Sequence, residues 1–77
     1  MLTEKLFFIK FENNHDLEGR FSVYQTDKDY QVQIDIVFKR NRKIYQHIGF
    51  VSERDEQEAV DLAYMKLKDY FEQKSDA

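Results

Sequence analysis

The chain has no cysteine, no proline and only two glycines in 77 residues. Without cysteine, neither a disulfide nor a thiolate metal cluster can brace it. Gly19 and Gly49 stand alone, so there is no glycine-rich loop to cradle a phosphate. There is no low-complexity tract, no internal repeat and no linker. The longest apolar run is "LFFI" at 6–9. It is far too short for a membrane span or the core of a signal peptide. The opening "MLTEK" lacks the basic lead of a secretion signal, so a cytoplasmic location is expected, and the absence of cysteine agrees with it.

What is present is aromatic. Seven Phe and five Tyr stand in a chain that is 42% hydrophobic. A domain of this size buries only about 60% of its unfolded surface. Each aromatic ring can remove on the order of 150–250 Å² from water, which compensates for a thin core. The composition is that of one small globular domain spanning 1–77. The net charge of −3 is unevenly spread. Residues 1–51 hold eight basic and seven acidic side chains, whereas residues 52–77 hold four basic and eight acidic ones. The acidic end and a locally basic stretch say more about partners than the total does.

Periodicity predicts strands at about 5–12, 20–25, 30–39 and 43–51 and a helix at about 53–72, with 73–77 as a tail. The clearest segment is "YQVQIDIVFK". Its alternation puts Tyr30, Val32, Ile34, Ile36 and Phe38 inward, as in a half-buried antiparallel strand. On the fourth strand Ile44, Ile48 and Phe50 are expected inward. That register pairs Phe38 with Ile44, Val32 with Phe50, Asp35 with His47 and Val37 with Tyr45. It requires an odd-length hairpin loop centred on Asn41, a residue that tolerates the left-handed conformation. The polar "ENNHDLEG" (12–19) reads as the longest loop, and "TDKD" (26–29) as a turn that pairs Val23 with Val32. Ser52 with Asp55 suggests a capping box. Ala59, Val60, Ala63, Leu67, Tyr70 and Phe71 form the helix's apolar stripe, opposite Met65. The expected fold is α+β: a four-stranded antiparallel meander with one C-terminal helix packed on one face, in two layers.

Catalytic constellations are sparse. Ser22, Ser52 and Ser75 have no nucleophile context. His15 and Asp16 are adjacent loop residues that fall short of a metal site without further ligands. Asp35 opposite His47 has the composition of an acid–base pair, but a solvated cross-strand ion pair is the favoured reading. The chain therefore reads as non-catalytic, without cofactor or metal.

Two surfaces remain. One helix leaves one sheet face open, and Phe8, Tyr24, Val37, Tyr45 and Val51 are expected there together with Leu6. Contiguous apolar area of that kind tends to mark an interaction site. A protein partner or a second copy of the chain is the favoured occupant. The second surface is the hairpin tip "KRNRK", with Lys39, Arg40, Arg42 and Lys43 around Asn41. It would orient an acidic partner or, in the alternative reading, grip nucleic-acid phosphates while Tyr24 and Tyr45 stack on bases. The favoured reading is a solvated tip that discourages edge association, because no second basic cluster widens the footprint.

Two resemblances bear on these alternatives. "GF" (49–50) closing the last strand and "EA" (58–59) in the helix resemble the arm-type DNA-binding domain of tyrosine integrases, which would make the sheet a groove reader. The intervening "VSERDEQ" is longer, and acidic where that family is basic. "FSVYQTDKDYQVQI" with "DEQEAVDLAYMKLKDYFE" resembles HicB-type antitoxins, acidic proteins that neutralise a toxin. The proline- and glycine-containing stretch of that family is replaced here by "DIVFKRNRK". An inhibitor encoded by a phage or mobile element is a variant of the protein-binding reading, in which Glu53, Asp55, Glu56, Glu58 and Asp61 would imitate phosphates.

Overall fold

β1 (Thr3–Phe11), β2 (Asn14–Gln25), β3 (Tyr30–Phe38) and β4 (Ile44–Glu53) precede a single helix, α1 (Glu56–Ser75), in a computed structural model of the chain. The structure describes residues 3–12 and 14–75, with side chains at 4–12 and 14–71. The strands form one antiparallel sheet in the order β1-β2-β3-β4. The helix packs chiefly over β4 and β3, and less over β2. The architecture is the expected two-layer ββββα meander. The helix runs three residues past the expected Glu72, so most of the predicted tail is helical. Asp76 and Ala77 lie outside the described residues.

β3 supplies the centre of the core. Val32, Ile34 and Ile36 are fully or almost fully buried against Phe21, Val23, Val51, Ala59, Ala63 and Leu67. Small side chains at Ala59 and Ala63 bring the helix close to the sheet. Gly19 does the same on β2, where a Cβ would stand 3.0 Å from the Leu67 Cδ2.

Three local expectations are corrected. First, β2 begins at Asn14, so most of the expected loop 12–19 is strand. Its backbone pairs with both neighbours, and Asn14 Oδ1 accepts the Asp16 and Leu17 N–H groups at 2.9 and 3.2 Å. Polar composition there reflects an exposed strand end rather than a loop. Second, the helix is capped by Asp55, not Ser52. Asp55 Oδ2 accepts the Glu58 N–H at 3.1 Å, satisfying a backbone donor that the first turn leaves unpaired. Ser52 still belongs to β4, and its hydroxyl donates to Asp29 Oδ2 at 2.7 Å.

Third, the β3–β4 register is not uniform. Val32 pairs with Val51 and Ile34 with Gly49, then Asp35 with His47, Ile36 with Gln46 and Val37 with Ile44. Ile48 and Tyr45 are therefore extra residues in two bulges, and each bulge changes which residues face the helix. Val51 is buried under the helix, whereas Phe50 and Ile44 are 54% and 53% exposed on the other face. Ile48 keeps its contact with the core. The tip is also of even length: Phe38 and Lys43 bond across Lys39–Arg42, with Phe38 N–H donating to Lys43 O at 2.9 Å. The left-handed residue is Arg42, at φ 59°, instead of Asn41. Asn41 contributes by its side chain, whose Oδ1 accepts the Lys43 N–H at 3.0 Å.

Candidate functional site

The sheet face away from the helix is built from alternate residues of all four strands. β1 contributes Leu6 and Phe8, and β2 contributes Glu18, Arg20, Ser22 and Tyr24. β3 gives Gln31, Gln33, Asp35 and Val37, and β4 gives Ile44, His47 and Phe50. The most exposed apolar side chains sit on the two edge strands. Leu6, Ile44 and Phe50 are each about half exposed, at 51%, 53% and 54%. Phe8 and Tyr24 are half-buried. The expected continuous apolar patch is therefore divided by a polar band along β2 and β3.

Asp35 anchors that band. It is completely buried, although no helix covers it. Its carboxylate accepts from Arg20 Nη2 at 3.3 Å and Gln33 Nε2 at 3.2 Å, and its other oxygen meets His47 Nδ1 at 2.7 Å. The expected Asp35–His47 pairing is present, but its carboxylate end is sealed from water rather than solvated. A buried carboxylate needs such partners, because burial without them is costly. Arg20 Nε is buried without a hydrogen-bond partner. His47 presents the rest of its ring to solvent, its side chain being 57% exposed. An imidazole oriented by a carboxylate is one part of a nucleophile-activating arrangement. Among the described residues no serine or threonine hydroxyl is hydrogen-bonded to it, so the geometry supplies the orienter without a nucleophile.

The basic tip folds back over one end of this face. Arg42 places its guanidinium 4.1 Å from the Phe8 ring centre and its Nε 3.7 Å from Glu18 Oε1. Cation–π contact and charge pairing both hold it there. Val37, at the same end, is fully covered. Arg40 lies over Phe38 at 5.4 Å, on the side of the sheet nearer the helix. Lys39, Arg40, Arg42 and Lys43 are all exposed, as expected, but the two arginines are aimed at opposite faces. The Lys39 N–H donates to Asp16 O at 2.9 Å, tying the tip to the start of β2. His15 and Asp16 line a recess with Phe38, Lys39 and Arg40. Two cationic side chains in that lining oppose a metal cation there.

Of the five residues expected to make apolar contact, Phe8 and Tyr24 are on the open face. Val37 lies beneath other side chains, and Val51 is in the helix-side core. Tyr45 is the extra residue of a bulge and packs edge-on against Phe38, with ring centres 5.5 Å apart. Ile44 and Phe50 take the places expected for Tyr45 and Val51. Gly49 was the available signal, since an isolated glycine within a strand pattern suggests a bulge.

The acidic start of the helix is engaged in structure: Asp55 caps it, Glu56 pairs with Lys5 at 3.3 Å, and Asp61 accepts from Gln57 at 2.9 Å. Met65 is 61% exposed and Leu62 half-buried. Among the described residues no helix is long and apolar enough to cross a membrane. Compared with known proteins, the chain matches no family model, and neither a curated protein nor a solved structure gives a match. The likenesses to integrase arm domains and HicB-type antitoxins thus rest on the short motifs quoted above.

Proposed function

We propose that the protein is a non-catalytic interaction domain that binds a protein, either a different chain or a second copy of itself, through the open sheet face. The observation that supports this reading is the exposure of Leu6, Ile44 and Phe50 on the one sheet face the helix leaves bare. Aromatic residues are enriched in protein interfaces, where they supply affinity while polar groups fix register; here exposed apolar side chains flank a polar band. Phe50 and Ile44 grip on one side, and Leu6, Phe8 and Tyr24 on the other. His47, Gln31 and Gln33 between them offer hydrogen bonds, and Lys39 and Lys43 at the tip steer an acidic partner and raise its on-rate.

The test is affinity capture from the native host, run in parallel with Phe50→Asp, and light scattering on both proteins. A protein retained by the wild type and lost with Phe50→Asp supports the reading, as does a self-association lost with the same substitution. Equal retention by both proteins, or no retention together with a monomer at high micromolar concentration, rejects it. Phe50 is 54% exposed and lies outside the helix-side core, so the variant should stay folded. The nucleic-acid alternative makes a separate demand: a salt-dependent gel shift lost when Arg40 and Arg42 become Glu. Non-specific binders reach about 10⁻⁴–10⁻⁶ M at physiological salt, so silence at tens of micromolar in low salt disposes of it.

A further inference from the structure

The two edges of the sheet differ. β4 carries two bulges in its pairing with β3, which twist and interrupt it. β1 is regular from Thr3 to Lys10, and its register slips only between Lys10 and Phe11. It contains no proline, and among the described residues no strand pairs with its outer edge, which leaves a row of backbone donors and acceptors open because β1 ends the sheet. It is also the strand the helix covers least. Leu6 on the open face and Phe7 on the helix side are 51% and 41% exposed. Such an edge is a template for another strand.

We propose that β1 pairs antiparallel with β1 of a second copy, joining two sheets into one of eight strands. The charges choose both the partner and the register. With the two-fold axis at Phe7, Glu4 lies opposite Lys10 of the other copy, and Leu6 opposite its Phe8, on the open face. On the helix side Phe7 meets Phe7, and Lys5 lies opposite Ile9. Shifting the axis to Phe8 would set Glu4 against Glu12, and shifting it to Leu6 would set Glu4 against Phe8. Of these three registers only the one centred on Phe7 pairs opposite charges, and symmetry supplies that pair twice. A two-fold axis normal to the sheet keeps both helices on the same side, so alternate residues of the two strands share faces as the pleat requires. This surface shares Leu6 and Phe8 with the open-face site above, and the pairing leaves Ile44 and Phe50 of that site accessible.

The experiment is sedimentation of the full chain over a concentration series, with Glu4→Lys and Lys10→Glu. Both residues are exposed, so neither change threatens the fold. The wild type should approach twice the 9.4 kDa chain mass. Each single variant should dissociate about ten-fold more readily, because two cross-strand attractions become repulsions. Mixing the two single variants restores both Glu–Lys pairs, so the mixture should dimerise where neither variant does alone. The double variant should also recover. A wild-type monomer at high micromolar concentration overturns the proposal, as does a dimer indifferent to both charge changes. A dimer lost on Phe50→Asp yet insensitive to Glu4→Lys assigns self-association to the open face and overturns the edge pairing alone.

Discussion

On the helix side of β3, Val32, Ile34 and Ile36 are closed over by Ala59, Ala63 and Leu67. On the other side of the same strand Asp35 and Val37 are equally inaccessible, yet no helix lies above them. The first side is sealed by apolar packing, which is non-directional and tolerates similar shapes. The second is sealed by long side chains that reach in from the flanks: Arg20, Gln33 and His47 around Asp35, and Arg42 across Glu18 and Phe8. That closure depends on directed bonds, and loses its function when one partner is removed. A thin domain can thus make its central strand dry on both sides with one helix. The surface left on the second side is chemically mixed, with charge in the middle and apolar residues at the margins.

The comparison can be broken at either side. The largest effect is expected at Ile34→Ala, which opens a cavity under the helix and should cost about 2–5 kcal/mol, read from denaturant unfolding. A loss below 1 kcal/mol would show that the apolar layer is not tightly packed. Asp35→Ala should cost about 1–3 kcal/mol, because it strands Arg20 and His47 beside a site built for a carboxylate. Combining it with Arg20→Ala should cost less than the two single losses together, since both substitutions remove the same bond. Strict additivity would mean that the polar closure is not a unit.

The smallest effect lies away from both faces, at the β2–β3 turn. Hydroxyl donation from Thr26, then from Ser52, holds the Asp29 carboxyl below its usual 3.8. A lowered folded-state value favours the folded state above pH 3.8, and that contribution disappears as pH falls through the folded value. Acid titration of stability should therefore be shallower in Asp29→Asn below about pH 4, with little change in shape above it. An unchanged acid limb would remove Asp29 from the account.

β3 was readable because its alternation is unbroken and both of its neighbours pair with it over its length. The β2–β3 turn was readable for the same reason, and Val23 pairs with Val32 as the pattern required. β4 was not, because a bulge is a property of two strands, and one strand's sequence carries only hints of it. Polar Gln46, at the alternate position between Ile44 and Ile48, was one such hint. It lies on the helix side, where its Oε1 accepts the Tyr70 hydroxyl at 2.7 Å. The open face was foreseen as a surface, and Phe8 and Tyr24 as members of it. Tyr45 and Val51 changed places with Ile44 and Phe50 when Tyr45 and Ile48 took up the extra positions, whereas Val37 stayed on that face but is covered. The burial of Asp35 was not readable at all, since it arises from three side chains on three strands converging on one carboxylate.

The strand order has a kinetic corollary. Every sheet neighbour is also the next strand in sequence, so each pairing closes only a short stretch of chain, at low cost in conformational freedom. Such topologies fold faster than those that must first bring distant segments together. The hairpins can zip in turn from any starting pair, and the helix, the last segment in sequence, can dock once Ile34 and Phe21 already present a surface to it.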